Sequence, residues 1–240
     1  MLISFKHKFA FIHIPKTGGM SITSSLHPFC GPFGGRLQQQ SGKLGEALDL
    51  YKWGYLLRNR KYVDLHKFFP WRRFRSRHIT ALDLREALSP ELFQNFFTFA
   101  FVRNPYSWIV SDYYYIMSHP SNENYEKFNA LFDDFEEYVR WRTNRTDSRI
   151  KRVSKPIKKD LLRGFVTDWD DKIIVDFVGK MENLPEDFKR VCNIIGIPYP
   201  GLPHKNESKH PYYKECYNET TKELVREHFQ PDLDLFDYDF

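Results

Sequence analysis

A lysine and two glycines follow a short apolar run near the start of the chain, a pattern suited to binding an anion. Residues 9–14 are almost all apolar, and they are followed by Pro15, Lys16, Thr17, Gly18 and Gly19. Such a run predicts a strand buried on both faces, as in a parallel sheet. Glycines let backbone amide groups approach a ligand closely, and Lys16 adds a full positive charge. We therefore expect an anion-binding turn here.

The residues after the glycines favour the same ligand. Met20 and Ser21 lead into a predicted helix over 21–26, and the start of a helix carries a partial positive charge. The segment is not a Walker motif, because Lys16 precedes the glycines instead of following them. We predict that residues 15–21 bind an anion; a tight turn from strand to helix with an exposed lysine is the alternative.

A second anion-binding pattern follows the apolar run 96–102. Arg103 comes at the end of this predicted strand, and ligands of open α/β sheets bind at the carboxyl ends of the strands. An arginine can hold a phosphate through two N–H groups. In the predicted helix over 106–117, Ser107 and Ser111 lie one turn apart on the same face. Arg103 with a serine therefore predicts a second phosphate site.

Strand and helix signals alternate along the rest of the chain, which is typical of an α/β fold. A third apolar run, 172–178, predicts another strand. Thr80 and Asp83 predict the cap of a helix over 81–88, and Asn104 with Pro105 predicts the start of the helix over 106–117. Apolar spacing predicts a third helix over 123–142. Two more are predicted from Pro185 to a stop at Gly196, and from a cap at Thr220 and Glu223 to a point before Pro231.

The composition is that of one globular domain, which we place over 1–240. The chain has 240 residues and a net charge of +5, which fits an anionic ligand. Three separated cysteines make neither a disulfide framework nor a metal site, and Cys192 falls on an apolar helical stripe as a core residue. No apolar run is long enough to span a bilayer, and no signal peptide is visible. We expect a soluble cytoplasmic protein; a lumenal domain with its anchor removed is the alternative.

These segments resemble those of the sulfotransferases that use 3′-phosphoadenosine 5′-phosphosulfate (PAPS), in particular the heparan- and chondroitin-type group of sulfotransferase family 2. Residues 14–19 are similar to the family's 5′-phosphosulfate loop, and 99–111 to its 3′-phosphate element. Residues 177–184 also resemble the family, although Lys180 stands where arginine is more common, as do 202–208 and 232–240. The resemblance implies a P-loop-like three-layer sandwich, with a central, mostly parallel sheet flanked by helices.

The resemblance also implies a reaction and a set of site residues. PAPS would donate a sulfuryl group to a hydroxyl, leaving adenosine 3′,5′-bisphosphate (PAP), and this chemistry needs no metal. Lys16 would place its ammonium beside the bridging oxygen of the leaving phosphate. The loop residues implied to close over the nucleotide are Lys205, Asn206, Ser208 and Lys209.

His78 is the candidate general base. It comes just before Thr80, the predicted cap of the 81–88 helix, and a helix start disfavours the charged imidazolium. Residues 78–82 also resemble the element that supplies the base in glycan sulfotransferases. A capping or surface histidine remains the alternative. We interpret His13, which continues a buried strand, as structural.

The acceptor is less closely defined by the sequence. Two basic stretches, within 58–77 and 149–163, are either solvated surface or a groove for an acidic acceptor. The resemblance implies a glycan or other carbohydrate acceptor, with no nucleic acid partner and no stable membrane insertion. Two alternatives stay open: a P-loop-type nucleotide kinase or NTPase, and a non-enzymatic basic module that binds polyanions.

Overall fold

Five strands from both halves of the chain form one sheet. The computed structural model describes residues 1–30, 35–36, 78–88, 90–118, 125–144, 160–203 and 211–240. In these residues the strands are β1 (Leu2–Ser4), β2 (Phe9–Ile12), β3 (Gly35–Arg36), β4 (Phe97–Val102) and β5 (Phe177–Lys180). The helices are α1 (Gly19–Leu26), α2 (Ala81–Ala87), α3 (Pro90–Gln94), α4 (Pro105–Met117), α5 (Tyr125–Asn129), α6 (Phe135–Thr143), α7 (Leu184–Ile194) and α8 (Glu219–Phe236).

The strands lie in the order β3-β1-β2-β4-β5. The central pairs β2–β4 and β4–β5 are parallel, whereas β1 is antiparallel to both β2 and β3. Because β2, β4 and β5 run the same way, their carboxyl ends share one edge of the sheet, with Ile12 paired to Ala100 and Val102 paired to Lys180. The predicted α/β fold with an open, mostly parallel sheet flanked by helices is confirmed.

The chain divides into two compact units. One, here called the sheet unit, comprises Met1–Val102 and Gly164–Lys205. The other, called the helical unit, comprises Arg103–Arg163 and Asn206–Phe240. Each is described below by itself, and the assignment of 1–240 to a single domain stays a prediction.

The core of the sheet unit is aromatic on one face of the sheet. Phenylalanines alternate along β2 and β4, so their rings fall on the same side and stack, with Phe11 and Phe99 centred 5.2 Å apart. Helices α1 and α7 cover this face through apolar residues that include Ile22, Leu26, Phe188, Val191 and Cys192. Cys192 is fully buried, as predicted, and burial raises the pKa of its thiol to about 11.

The helical unit contains a buried carboxylate that binds the backbone of residues 162 and 163. Asp232 of α8 is fully buried and accepts hydrogen bonds from the backbone N–H groups of Leu162 and Arg163, at 2.8 Å each. Nearby, the Arg142 guanidinium lies over the ring of Trp108. These contacts hold residues 160–163 against α8.

Three predicted elements differ from the structure. The strand expected over 172–178 begins only at Phe177 and extends to Lys180. The residues before it turn back on themselves instead: the Lys172 N–H donates to Asp168, and Thr167 and Ile173 form an isolated bridge. Asp176, expected within a strand, precedes β5 and accepts from the N–H and hydroxyl of Thr98.

The other two differences concern helices. The predicted helix over 123–142 is split into α5 and α6, because Asp134 accepts from the Glu137 N–H and so starts a new helix. Helix α8 is capped by Asn218, with Thr221 completing the capping box, and it continues through Pro231 to Phe236. The cap expected at Thr220 and the end expected before Pro231 were therefore wrong.

Candidate active site

The loop after β2 is held in a strained conformation that turns it at the edge of the sheet. Lys16 has a φ of 62° and Gly18 a φ of 74°, both in the left-handed region. Thr17, fully buried between them, donates from its hydroxyl to the Ile14 carbonyl at 3.0 Å and closes the turn. A left-handed lysine is uncommon, and residues held in this way concentrate at functional sites.

Close packing requires a glycine at position 19, and the left-handed backbone favours one at position 18. A Cβ at Gly19 would overlap the imidazole of His13, and a Cβ at Gly18 would lie 2.9 Å from Cδ2 of Leu184. Gly18 also ends the loop as the N-cap of α1, and its carbonyl accepts from the N–H groups of Ser21 and Ile22. Helix α1 thus starts at Gly19, two residues before the predicted start. The amides ahead of Ser21 are those that a helix start offers to an anion.

His78 is anchored to the strand that carries this loop. Its Nδ1 lies 2.9 Å from the backbone carbonyl of His13, and the two imidazoles are centred 4.9 Å apart, edge to face. A carbonyl only accepts, so Nδ1 must carry the hydrogen, and in the neutral ring the lone pair is then on Nε2. Thr80 caps α2 and forms a capping box with Asp83, as predicted. A neutral His78 therefore carries its hydrogen on Nδ1 and leaves Nε2 unprotonated.

His13 makes two contacts at this site that the sequence does not indicate. Its side chain is 8% exposed and stacks on Phe11, which agrees with a structural role. Its carbonyl, however, orients His78, and its ring fills the space next to Gly19. No local sequence signal could have predicted the hydrogen bond between His78 and the His13 carbonyl, because 65 positions separate the two residues.

The carboxyl end of β5 supports the same edge of the sheet. The Lys180 N–H donates to Asp187 of α7 at 2.9 Å, and Gly179 lets the strand pass the ring of Phe101. Leu184, at the start of α7, packs against Gly18. Sequence reasoning missed Asp187 and Leu184, whose contribution depends on contacts between distant segments.

The second predicted phosphate element begins the helical unit. The Arg103 Nε donates to the Ser107 hydroxyl at 2.9 Å, so one side of the guanidinium is held by the helix that follows. Asn104 caps α4 by accepting from the Tyr106 N–H, and Pro105 occupies the first turn. Ser111 lies on the same helix but is 2% exposed. Arg103 and Ser107 are thus brought together as the sequence predicts.

Comparison with known proteins decides the family. A family model described as "Sulfotransferase family" matches residues 1–239. The chain belongs to the sulfotransferase family.

One relative of this sulfotransferase comes from Archaeoglobus fulgidus and is described only as an uncharacterized protein. It is 32% identical over 116 residues, which cover 48% of this chain and 80% of the relative. No solved structure matches the sulfotransferase significantly. Membership in the family, and with it sulfuryl transfer, therefore rests on the match over nearly the whole chain.

Some predictions about the sulfotransferase fall outside the described residues or meet no structural test. Lys205, Asn206, Ser208 and Lys209 lie outside them, as do the stretch 58–77 and most of 149–163. Within the described part of the chain, no helix has the length and apolar character to cross a membrane. In the same residues, His, Cys, Asp and Glu side chains form no group of three that could hold a metal ion.

Proposed function

We propose that this sulfotransferase transfers a sulfuryl group from PAPS to a hydroxyl of a carbohydrate acceptor. The observation that carries the proposal is the hydrogen bond from His78 to the His13 carbonyl. It attaches a histidine with its lone pair on Nε2 to the strand that ends in the Lys16 loop. The proposed proton acceptor is thereby attached to the segment that leads to the proposed cation, and hydroxyl sulfation uses a group of each kind.

Two separate elements each suit one phosphate group of the proposed donor. Pro15, Lys16, Thr17, Gly18, Gly19, Met20 and Ser21 form a loop and helix start suited to the 5′-phosphosulfate. The guanidinium of Arg103, braced by Ser107, suits the 3′-phosphate, and we assign Ser111 to the same element. The nucleotide loop with Lys205, Asn206, Ser208 and Lys209 completes the proposed donor site.

The proposed step is an in-line displacement at sulfur. The acceptor oxygen bonds to sulfur as the bond from sulfur to the bridging phosphate oxygen breaks, giving a sulfate ester and PAP. Nε2 of His78 takes the proton of the acceptor hydroxyl. The Lys16 ammonium and the nearby amides stabilise the negative charge that grows on the departing phosphate.

A carbohydrate acceptor is proposed from the resemblance of the site segments to glycan sulfotransferases. The net charge of +5 favours an acidic sugar chain over a neutral one. The two basic stretches would then contact the acceptor, and residues 1–240 would act as one catalytic domain.

Calorimetric titration with PAP, adenosine 5′-monophosphate and ATP tests the donor assignment. We expect PAP to bind most tightly and without Mg²⁺. ATP binding that depends on Mg²⁺ would instead indicate a kinase or NTPase, and transfer that never occurs with any hydroxylated acceptor would indicate a binding module.

Lys16→Ala tests the catalytic assignment, with Lys8→Ala as its matched control. Lys8 also has a left-handed backbone, with a φ of 51°, but it lies at the opposite end of β2. We expect Lys16→Ala to lower the transfer rate by about 10²–10³-fold, the effect of removing one charge-stabilising group. Equal rates for the two variants would remove Lys16 from the mechanism.

A further inference from the structure

Residues 237–240 fold back from the end of α8 in a fixed conformation. Asp237 has a φ of 52° and ends the helix in the left-handed region. The N–H groups of Asp237 and Tyr238 both donate to the Leu233 carbonyl. Aspartate accepts this conformation more readily than most residues, so the turn after α8 is well defined.

The segment ends in an aromatic and cationic cage around Phe240. The ring centroids of Tyr106, Tyr217 and Tyr213 lie 4.9, 5.8 and 6.0 Å from that of Phe240, all near edge to face. The ammonium groups of Lys222 and Lys214 lie 4.4 and 5.1 Å from the ring centre. Lys214 also donates to the Phe240 carbonyl at 2.8 Å. Edge-to-face and cation–π contacts of this kind fix a ring in one position.

The same segment contacts the residue next to Arg103. The Nδ2 of Asn104 donates to the Asp239 carbonyl at 2.6 Å, while its Oδ1 accepts from the Tyr106 N–H at 3.0 Å. Tyr217 adds a third tie, donating from its hydroxyl to the Tyr106 carbonyl at 2.9 Å. The Asn104 amide thus links residues 237–240, through its Nδ2, to the start of α4, through its Oδ1.

We propose that residues 237–240 position Arg103 for the 3′-phosphate of the donor, with Phe240 and Asn104 as positioning residues. The inference rests on the proposed function, since it takes Arg103 as the 3′-phosphate ligand. Arg103 directly precedes Asn104, so the backbone angle at which the guanidinium leaves the chain depends on how Asn104 is held. Neither positioning residue needs to touch the nucleotide.

Phe240→Leu tests the proposal, with Phe132→Leu as the matched control. Phe132 is a buried phenylalanine of the same unit, and it packs against Tyr138 and Trp141. The measured quantity is the ratio of PAP affinity to adenosine 5′-monophosphate affinity, which isolates the 3′-phosphate. We expect Phe240→Leu to lower this ratio by about threefold to thirtyfold, the range for positioning effects. Phe132→Leu should lower thermal stability and leave the ratio unchanged.

Two further variants keep the test decisive if Phe240→Leu folds poorly. Asn104→Ser retains an oxygen for the helix cap but loses the amide that reaches Asp239, so it should lower the ratio in the same direction. Phe240→Tyr retains the aromatic ring, so this variant should have the wild-type ratio of PAP affinity to adenosine 5′-monophosphate affinity. If the wild-type protein binds PAP and adenosine 5′-monophosphate equally tightly, the proposed function itself is contradicted. A high wild-type ratio that survives both Phe240→Leu and Asn104→Ser would overturn only the positioning role of 237–240.

Discussion

The loop at 15–21 and the turn at 103–107 each carry a cation just after a parallel strand, and they hold it by different means. The loop depends on its backbone: Lys16 and Gly18 have left-handed angles, and Gly19 lies against His13 with no room for a side chain. The turn depends on side chains, since Ser107 and Asn104 fix Arg103 and the chain beside it.

This difference indicates how each element fails. A loop built from backbone is sensitive to added volume, because the interior next to it cannot yield. A turn built from side-chain hydrogen bonds is sensitive to the loss of a single donor or acceptor. Three of the four predictions below test this contrast, and one concerns a buried carboxylate of the helical unit.

The largest effect is expected for His78→Ala, which removes the proposed base while leaving the loop backbone in place. The transfer rate should fall by about 10²–10⁴-fold, whereas PAP affinity should stay near that of the wild type. His7→Ala serves as the control, since His7 lies in the turn before β2 and packs on Phe29. Steady-state rates with calorimetric affinities provide the measurement, and an unchanged rate would point to another base.

Arg103→Ala breaks the side-chain-built element. A hydrogen bond to a charged group contributes about 1.5–3 kcal/mol, so PAP affinity should fall by about ten- to a hundredfold. Affinity for the 5′-monophosphate should change little. Arg140→Ala is the control, because Arg140 pairs with Glu136 on an exposed helix face. Equal losses for both nucleotides would show that Arg103 does not bind the 3′-phosphate.

The helical unit should also carry a pH-dependent contribution to stability through Asp232. Burial raises the pKa of this carboxyl to about 6 from 3.8, so the folded chain binds its proton more tightly than the unfolded chain. The contribution is therefore complete below about pH 4 and is lost as the pH rises through 6. Between pH 4 and 7 the loss is about 2–3 kcal/mol.

Asp232→Asn checks this expectation by removing the titration. Its absolute stability should be lower, since an amide cannot accept from both backbone N–H groups of 162 and 163. Its unfolding free energy should nevertheless change less than that of the wild type between pH 4 and pH 7, as measured by denaturant titration. Identical pH dependence would argue against the raised pKa.

Gly19→Ala and Gly196→Ala sharpen the comparison from the loop side. A Cβ at Gly19 meets His13, whereas one at Gly196 meets open space but sits at a φ of 68°. Each change should lower the unfolding free energy by about 1–3 kcal/mol, by crowding in the first case and by backbone strain in the second. Donor affinity should fall only in Gly19→Ala. If it falls equally in both, general destabilisation explains the loss.

Local patterns predicted much of this architecture. The runs ending near Ile12 and Val102, the capping box at Thr80 and the glycine stop at Gly196 are all decided by residues close in sequence. Arg103 and Ser107 were assigned to the same phosphate element from their positions in sequence, whereas the hydrogen bond between their side chains was not predicted.

The errors arose where distant contacts override local preference. Proline normally ends a helix, but Phe229, Leu233 and Phe236 form one buried face of α8, and its packing carries the helix through Pro231. The start of β5 depends on Asp176 meeting Thr98 across 78 positions. The contact of His78 with the His13 carbonyl also joins distant segments, so the sequence could propose His78 as the base but could not predict its tautomer.

At position 16, stability and the proposed catalytic role favour different residues, because the backbone of Lys16 is left-handed. A side chain in that conformation costs about 1–3 kcal/mol, and glycine would avoid the cost. A library screened only for heat resistance should therefore enrich Lys16→Gly and discard the ammonium that we propose for catalysis. A selection for thermostability should therefore include a screen for transfer activity, so that Lys16 is retained.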